Sequence, residues 1–522
     1  MTIYPSSLAA VNGVGIQNEQ YAVSAEVLPQ KNVIIGTFDE DTFTLLTPNV
    51  PIRVYSPEDV AGQTGYGFML HRLAKYAMKP GKVETWIIPQ LEGGSDPATA
   101  AGELDFSASA DVQAGTIYLY IAGELVRYVT TAGDSADDIG EAIADAINDD
   151  DDLPVTAANV AGVVTITSKS GGDWGNDITL LIGNQNNPYT VSLPTGVACT
   201  ITDMAGGSGV PDIQDALDAL GTGDAQNEDF FTNLIHGYGA DTATLDAIST
   251  YNGIGNDFVG NYAKEIARPF RSLVGDVTAG SAGLTAALAL AALRRETDRT
   301  NGEIPAPGSP NHPQEIAAQV LGAMAVLHST YPQVGMIDQI LAGIWPGAKA
   351  DRWTNDQDNL EQAVRGGLAT TKAKNNVLYM QNIDTFYRPA SVAPESNYWR
   401  QMKNISIAQN VLHNWRLNFE RTKWKGIFIV EDVTEVTDAT AKLKARDVST
   451  VFDDVYALIE TFVGKGWLYQ GDWSKANSTV TLRAGLTGFD IYCPMIPSGE
   501  GGIYNTTIGM DTSIAILLAG GE

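Results

Sequence analysis

Five histidines, His71, His236, His312, His328 and His413, are the first candidates for metal or acid–base chemistry in this 522-residue chain. A metal-binding helix needs two of them three or four residues apart, so that both lie on one face. No pair has that spacing. The nearest polar constellation, His312-Pro313-Gln314-Glu315, reads as a loop followed by a helix start. Gly253-Ile254-Gly255 opens like a dinucleotide fingerprint, but the third glycine is misplaced at Gly260 and no clear strand leads in. No G-x-S-x-G elbow and no G-x-x-x-x-G-K-[ST] loop occurs, so neither a hydrolase serine nor a P-loop phosphate cradle is supported. The run Asp149-Asp150-Asp151-Asp152 lacks the alternating ligands, central glycine and closing glutamate of a calcium loop. It reads as a solvated turn after a helix. The expectation is a chain with no catalytic centre, no metal site and no cofactor.

Two cysteines, Cys199 and Cys493, cannot build a disulfide scaffold or a cysteine-only zinc site. They fit either two small buried hydrophobes or a disulfide, including one between copies. Arg416, Arg421, Lys423 and Lys425 form a basic cluster in a chain whose net charge is −30. Such a cluster is ordinarily a wet helix face, and in so acidic a chain it is also the best candidate for docking onto an acidic partner. The overall charge disfavours nucleic acid and anionic membranes as partners. It also makes copies repel at long range, so any assembly must rest on shape and backbone pairing.

The elements that position these residues follow from length and pattern. A chain of 522 residues is too long for one ordinary core, and 44% hydrophobic with 18% charged residues is globular composition, so two to four domains are expected. No signal peptide is visible, and the low-polarity run from Ala282 to Leu293 is too short to span a bilayer. The expectation is a soluble protein made in the cytoplasm, with no membrane insertion. Residues 1–28 suit an extended arm. Asn32 to Thr37 is a strand, Ser56 to Asp59 a capped helix start, and Glu84 to Pro89 a second strand, which together give a parallel βαβ unit. Residues 95–208 read as a β-rich insert with one helix, capped by Ser135 and Asp138, whose buried face holds Ile139, Ile143, Ala146 and Ile147. Its glycine-rich edges look like linkers. Residues 29–94 and 209–392 form one interrupted α/β core. Residues 393–502 form a C-terminal α+β domain whose regular helix runs from Val448 to Phe462 and closes at Gly464. Residues 503–522 form an amphipathic strand with Ile508, Met510, Ile514, Ile516 and Leu518 on one face, an aggregation hazard unless a sheet takes it. The fold class is therefore multidomain α/β and α+β with extended terminal arms.

Val33-Ile34-Ile35-Gly36, Val54 to Val60, Glu84 to Pro89, Pro211-Asp212-Ile213, Pro305 to Pro310 with Pro313 and Glu315 to Ala318, and Gly343-Ile344 through Asp351-Arg352-Trp353 to Gly366-Gly367-Leu368-Ala369-Thr370 recur in this order along the chain. Together these stretches resemble the tail sheath proteins of contractile phages of the Mu-like and P2-like kind. One departure is Gln381 to Phe386, where the family often has an Arg-x-Ile-Thr-Thr-Tyr-like strand. The resemblance implies a structural subunit, not an enzyme. It implies hexameric rings stacked helically around a tail tube, contact with baseplate and tail terminator proteins, and contraction that drives the tube through the host envelope. It places the protein in the virion, assembled in the host cytoplasm. It also implies arms that exchange strands between copies, which assigns that role to Val11, Val14 and Ile16 at one end and the apolar face of 503–522 at the other. The insert is expected to face outward and the C-terminal domain to face the tube, with Arg416, Arg421, Lys423 and Lys425 docking. The alternatives are a related contractile secretion or injection machine and, further off, a carbohydrate-binding surface protein.

Overall fold

The computed structural model describes residues 25–93, 97–220, 230–255, 268–391, 398–420 and 422–499. Lys31–Thr37 (β1) is buried on both faces from Asn32 onward, which is why it reads as a continuous apolar run rather than an alternating one. Ile52–Val54 (β2), the helices Pro57–Thr64 (α1) and Met69–Met78 (α2), and Glu84–Gln90 (β3) follow. β3 pairs parallel with β1 and places Val33 beside Trp86, while β2 runs antiparallel along the far side of β3. Ser56 caps α1 by accepting from the Asp59 N–H at 3.2 Å. The reciprocal bond differs from a full capping box, because the Asp59 carboxylate accepts from Tyr55 N–H, at 3.0 Å, instead of from the cap residue.

The insert comprises Ala101–Ala108 (β4), Gly115–Ile121 (β5), Glu124–Thr130 (β6), Ala136–Asn148 (α3), Val155–Val160 (β7), Val163–Ser168 (β8), Leu180–Ile182 (β9) and Val197–Ala205 (β10). These form a four-stranded sheet, β10-β4-β8-β7, and a three-stranded sheet, β6-β5-β9. Two tight turns, Ala122-Gly123 and Ala161-Gly162, have positive φ at both residues, the geometry that suits the twist of a two-residue hairpin. α3 carries the full Ser135–Asp138 capping box. It buries Ile139, Ile143, Ala144 and Ile147 against Leu104, Leu119 and Ile166. Ala144 takes the inward place expected for Ala146, which packs at the rim of the cluster.

The core resumes with Ile213–Ala219 (α4), Asn233–His236 (β11), Thr242–Asn252 (α5), Arg271–Asp276 (β12), Gly280–Arg294 (α6), Asn301–Pro305 (β13), Pro313–His328 (α7), Gln357–Gly366 (α8) and the hairpin Thr370–Lys374 (β14) and Val377–Asn382 (β15). The six-stranded sheet has the order β13-β12-β11-β1-β3-β2, parallel except for β2. α7 packs on the sheet and on α2. The two helices approach so closely that a Cβ on Gly322 would sit 2.0 Å from the Ala77 carbonyl oxygen. Only glycine fits there. Among the described residues no helix is long and apolar enough to cross a membrane.

The insert is fastened to this core by a buried charge cluster. Arg72 of α2 is fully buried and donates to Glu315 of α7 at 2.6 Å, to Glu124 of the β5–β6 hairpin at 2.7 Å and to the Asp152 carbonyl at 3.0 Å. Lys75 adds ion pairs to Glu124 and Asp152. Asp152 therefore docks the insert and is not a merely solvated turn. Trp174 stacks on His312 with ring centroids 3.6 Å apart, and the Tyr189 hydroxyl donates to the Gly308 carbonyl at 2.8 Å. The neck glycines differ from loose linkers, since a Cβ on Gly93 would meet the Pro211 nitrogen at 2.3 Å.

The C-terminal part contains Lys403–Glu420 (α9), Phe428–Ile429 (β16), Ala439–Lys442 (α10), Ala445–Arg446 (β17), Val448–Gly464 (α11), Leu468–Tyr469 (β18), Gly471–Asn477 (α12), Thr479–Leu482 (β19), Phe489–Tyr492 (β20) and Ile496–Pro497 (β21). α11 buries Val451, Val455, Leu458, Ile459 and Phe462, the face its periodicity predicts. Its end is set by Gly466 and not by Gly464. Gly466 has φ +72° and its N–H bonds to the Val463 carbonyl, while the Trp467 N–H bonds to the Phe462 carbonyl, both at 2.9 Å. The buried Trp467 ring then stacks on Phe462, completing a Schellman cap with its hydrophobic contact. Residues 25–28, expected in the arm, pack here, with Ala25 buried against the Leu458–Phe462–Trp467 cluster.

Candidate functional site

The side chains singled out for chemistry are occupied in building the fold. His312 is the N-cap of α7, and its Nδ1 accepts from Gln314 N–H at 3.2 Å. Burial pushes its pKa down to about 3, so the ring is neutral. Gly253 is the left-handed C-cap of α5, a helix exit, whereas a dinucleotide turn leads into a helix. Asp149 caps the end of α3. Among the described residues no group of three His, Cys, Asp or Glu side chains could hold a metal ion. Cys199 lies on β10 and Cys493 just beyond β20; both are free thiols in the single chain. Burial pushes Cys199 up to about 12 and raises Cys493, so neither is a ready thiolate.

A buried acid pair was not legible in the sequence. Asp276 ends β12, Glu303 lies in the middle of the neighbouring β13, and the two carboxyls interact. Burial and the adjacent Asp276 push Glu303 up to about 8. The signal that would find this pair is the register of two parallel strands, which single-strand periodicity does not carry.

The basic cluster divides. Arg421 lies outside the described residues. Arg416 pairs with Glu420 one turn along α9 at 2.6 Å and lines a cleft of about 590 Å³ with Lys31, Arg268 and His413. Lys423 pairs with Asp454 of α11 at 2.5 Å, beside the Trp424 ring. Lys425 is exposed and has no ion pair among the described residues. The parallel pairing of β16 with β17 brings further cations to the same place. The Arg446 guanidinium lies 5.4 Å from the Trp424 ring centre and donates to the Lys423 carbonyl, and Lys444 donates to the Lys425 carbonyl at 3.0 Å. Lys442 and Lys444 are exposed there, beside exposed Leu443 and Phe428. The result is a basic and apolar patch on an otherwise strongly acidic chain. Lys442, Lys444 and Arg446 escaped sequence reasoning because about twenty residues separate them from Lys425.

The same region contains two short ribbons, β18–β21 and β19–β20, each of two strands among the described residues. Tyr469, Leu482 and Tyr492 on them are exposed. Two-stranded ribbons are marginal alone and carry free edge groups. The expected arm residues Val11, Val14, Ile16, Ile508, Met510, Ile514, Ile516 and Leu518 lie outside the described residues.

Over 172 residues, 33% of its length, the chain is 32% identical to the Mu-like prophage FluMu tail sheath protein of Haemophilus influenzae. Over that stretch the chain is similar to a Mu-like tail sheath protein. The match spans about a third, 34%, of that sheath protein's length. No family model matches the chain. Among solved structures, the chain is similar to a sheath tail protein from Desulfitobacterium hafniense, with a TM-score of 0.42 and 12% identity over 93% of this chain and 100% of that one. It is also similar to the helical sheath of the anti-feeding prophage in the contracted state, with a TM-score of 0.41 and 10% identity over 97% of this chain and 100% of the other. The baseplate of the same particle gives a TM-score of 0.43 and 10% identity, over 98% and 100%.

Proposed function

We propose that this chain is a structural subunit of a contractile tail sheath, in a phage or a related injection machine. The observation that carries this reading is the 32% identity over 172 residues to a tail sheath protein. In this reading the subunits form six-fold rings stacked around a tail tube, between a baseplate and a terminator, within a virion assembled in the host cytoplasm. Residues 1–28 and 503–522 are the arms, the insert at 95–208 faces outward, and residues 393–502 face the tube. The two-stranded ribbons support the arms' role, because a strand from a neighbouring copy would complete them through backbone pairing, without charge attraction. The basic patch around Trp424, together with Arg416 and Arg421, is the docking surface for an acidic tube.

Contraction then needs no nucleotide. Switching one isolated molecule between two states takes about 5.5 kcal/mol. Many coupled subunits switch together with a small fraction of that each, from an extended lattice held kinetically. Electron microscopy of the purified full chain tests the reading. Striated tubes of two lengths are the expected result, and persistent monomers across assembly conditions overturn it. Removing residues 508–522 should abolish tubes and leave a folded monomer.

A further inference from the structure

A cleft of about 320 Å³ opens where the start of α1, the last turn of α2 and the approach to β3 meet. Tyr55, Pro57, Tyr76, Met78 and Val83 give it a mostly apolar lining, and Lys75, Lys79 and Lys82 complete it. No described residue that lines it is acidic. The chain as a whole holds 62 acidic residues against 32 lysines and arginines, so a lysine cluster without a carboxylate runs against its composition.

The three lysines are not equivalent. Lys75 has the ordinary fate, pairing with Glu124 and Asp152. Lys79 and Lys82 are exposed and have no ion pair among the described residues. Lys79 is nevertheless seated. Its Nζ lies 5.0 Å from the centre of the Tyr76 ring, and a Cβ on Gly343 would come within 2.2 Å of it. The cation is thus placed before any partner arrives, which lowers the cost of binding one. Partial burial and the like charges of Lys75 and Arg72 hold Lys79 below its ordinary pKa, against the pull of Glu124. That is the condition of a cation short of a counter-ion.

Ligand pockets join an apolar lining to a few placed polar groups, in volumes from about 300 Å³ upward. This cleft stands at the small end of that range and admits a body of about one ring system. The anion it suits is a carboxylate. Phosphate is commonly held by arginine forks or free helix amides, and here Ser56 already caps α1 and Pro57 has no N–H to offer. We propose that the cleft binds a small carboxylate with an aromatic or aliphatic body, the body against Tyr55, Tyr76 and Met78 and the carboxylate on Lys79 and Lys82. The site is complete in one chain and stands independently of sheath assembly.

Equilibrium dialysis of the full chain against indole-3-propionate tests it, with lysine acetylation mapped by mass spectrometry as the positional readout. Saturable binding is expected, with a Kd on the order of 1 mM or tighter and weakening as salt rises. The probe should slow acetylation of Lys79 and Lys82 and leave the exposed Lys425 and Lys444 unchanged. Lys79→Gln and Lys82→Gln, at exposed positions that spare the fold, should each weaken binding about three- to tenfold. Indole-3-propionamide, alike in shape but uncharged, should bind about tenfold more weakly. No saturable binding up to about 10 mM overturns the proposal. So does equal binding of the amide, unchanged affinity in both variants, equal protection of Lys425 and Lys444, or displacement of the probe by inorganic phosphate at equal concentration. Acetylation of Lys79 and Lys82 that slows with protein concentration alone would seat a second copy's carboxylate in the cleft, and also overturns it. Should a variant misfold, the wild-type chain with the acid, the amide and phosphate decides.

Discussion

Arg72 and Glu315 bury an ion pair completely, Nε to Oε1 at 2.6 Å, where two core helices meet. Glu124 of the insert closes on the same guanidinium at 2.7 Å. Removing the cation strands the Glu315 carboxylate in low dielectric and leaves Glu124 with Lys75 alone. Arg72→Met should therefore cost ~3–5 kcal/mol in urea denaturation. Glu124→Gln, at a partly exposed position, should cost ~1 kcal/mol and loosen exchange in the β5–β6 hairpin first.

The Asp276–Glu303 pair gives stability a pH dependence of one sign. Glu303 is pushed up to about 8 from an ordinary value of 4.5, so the folded state holds its proton more tightly. Its share of stability is complete below the ordinary value and is lost as pH rises through about 8. Glu303→Gln should raise stability by at least ~2 kcal/mol near pH 9 and change it little near pH 4. Equal effects at both ends, read by thermal unfolding, would contradict the buried carboxyl.

His312 gives the opposite sign. Its value is depressed to about 3 from 6.5, so the unfolded chain binds the proton first. Stability is present above the ordinary value and falls as pH drops through this window. His312→Asn keeps a capping acceptor for α7 and removes the titration. The slope of stability against pH between about 6 and 4 should become shallower by up to ~1.4 kcal/mol per pH unit.

The two glycines at the end of α11 should respond differently. Gly466 holds φ +72°, where alanine is strained, so Gly466→Ala should cost ~1–2 kcal/mol. Gly464 is helical, and a Cβ there meets nothing within 4 Å. Gly464→Ala should be neutral or stabilising by ~0.5–1 kcal/mol. Chemical denaturation of the pair separates the two positions.

The basic patch separates folding from docking. Lys425→Glu should leave stability within ~0.5 kcal/mol, because the side chain is exposed without a charge partner among the described residues. Lys423→Glu should cost ~1 kcal/mol by placing a carboxylate against Asp454. If the proposed docking holds, both should lower co-sedimentation with an acidic tail tube, and more so at low salt.

The sheet's centre was legible because β1 and β3, covered on both faces, are apolar runs in the sequence. β12 and β13 were not, because Arg271, Ser272, Asn301 and Glu303 are buried polar residues whose partners come from distant segments. Arg271, for example, donates to Asn233 at 2.5 Å and to Gln30 at 3.1 Å. Within the candidate docking surface, Lys423 and Lys425 were visible as neighbours in sequence, while Lys444 and Arg446 arrive through β16–β17 pairing. The helix exit at Gly466 was misplaced by two residues because a glycine inside the last turn resembles one beyond it until φ is known.

The charge cluster around Arg72 has a mechanical corollary. An appendage joined by a glycine neck alone would swing freely and dissipate any pull as thermal wobble. Here the neck is packed solid and the guanidinium ties the appendage to the two helices locked together at Gly322. A torque applied to the tip of the insert is thus delivered to the central sheet as by a welded lever.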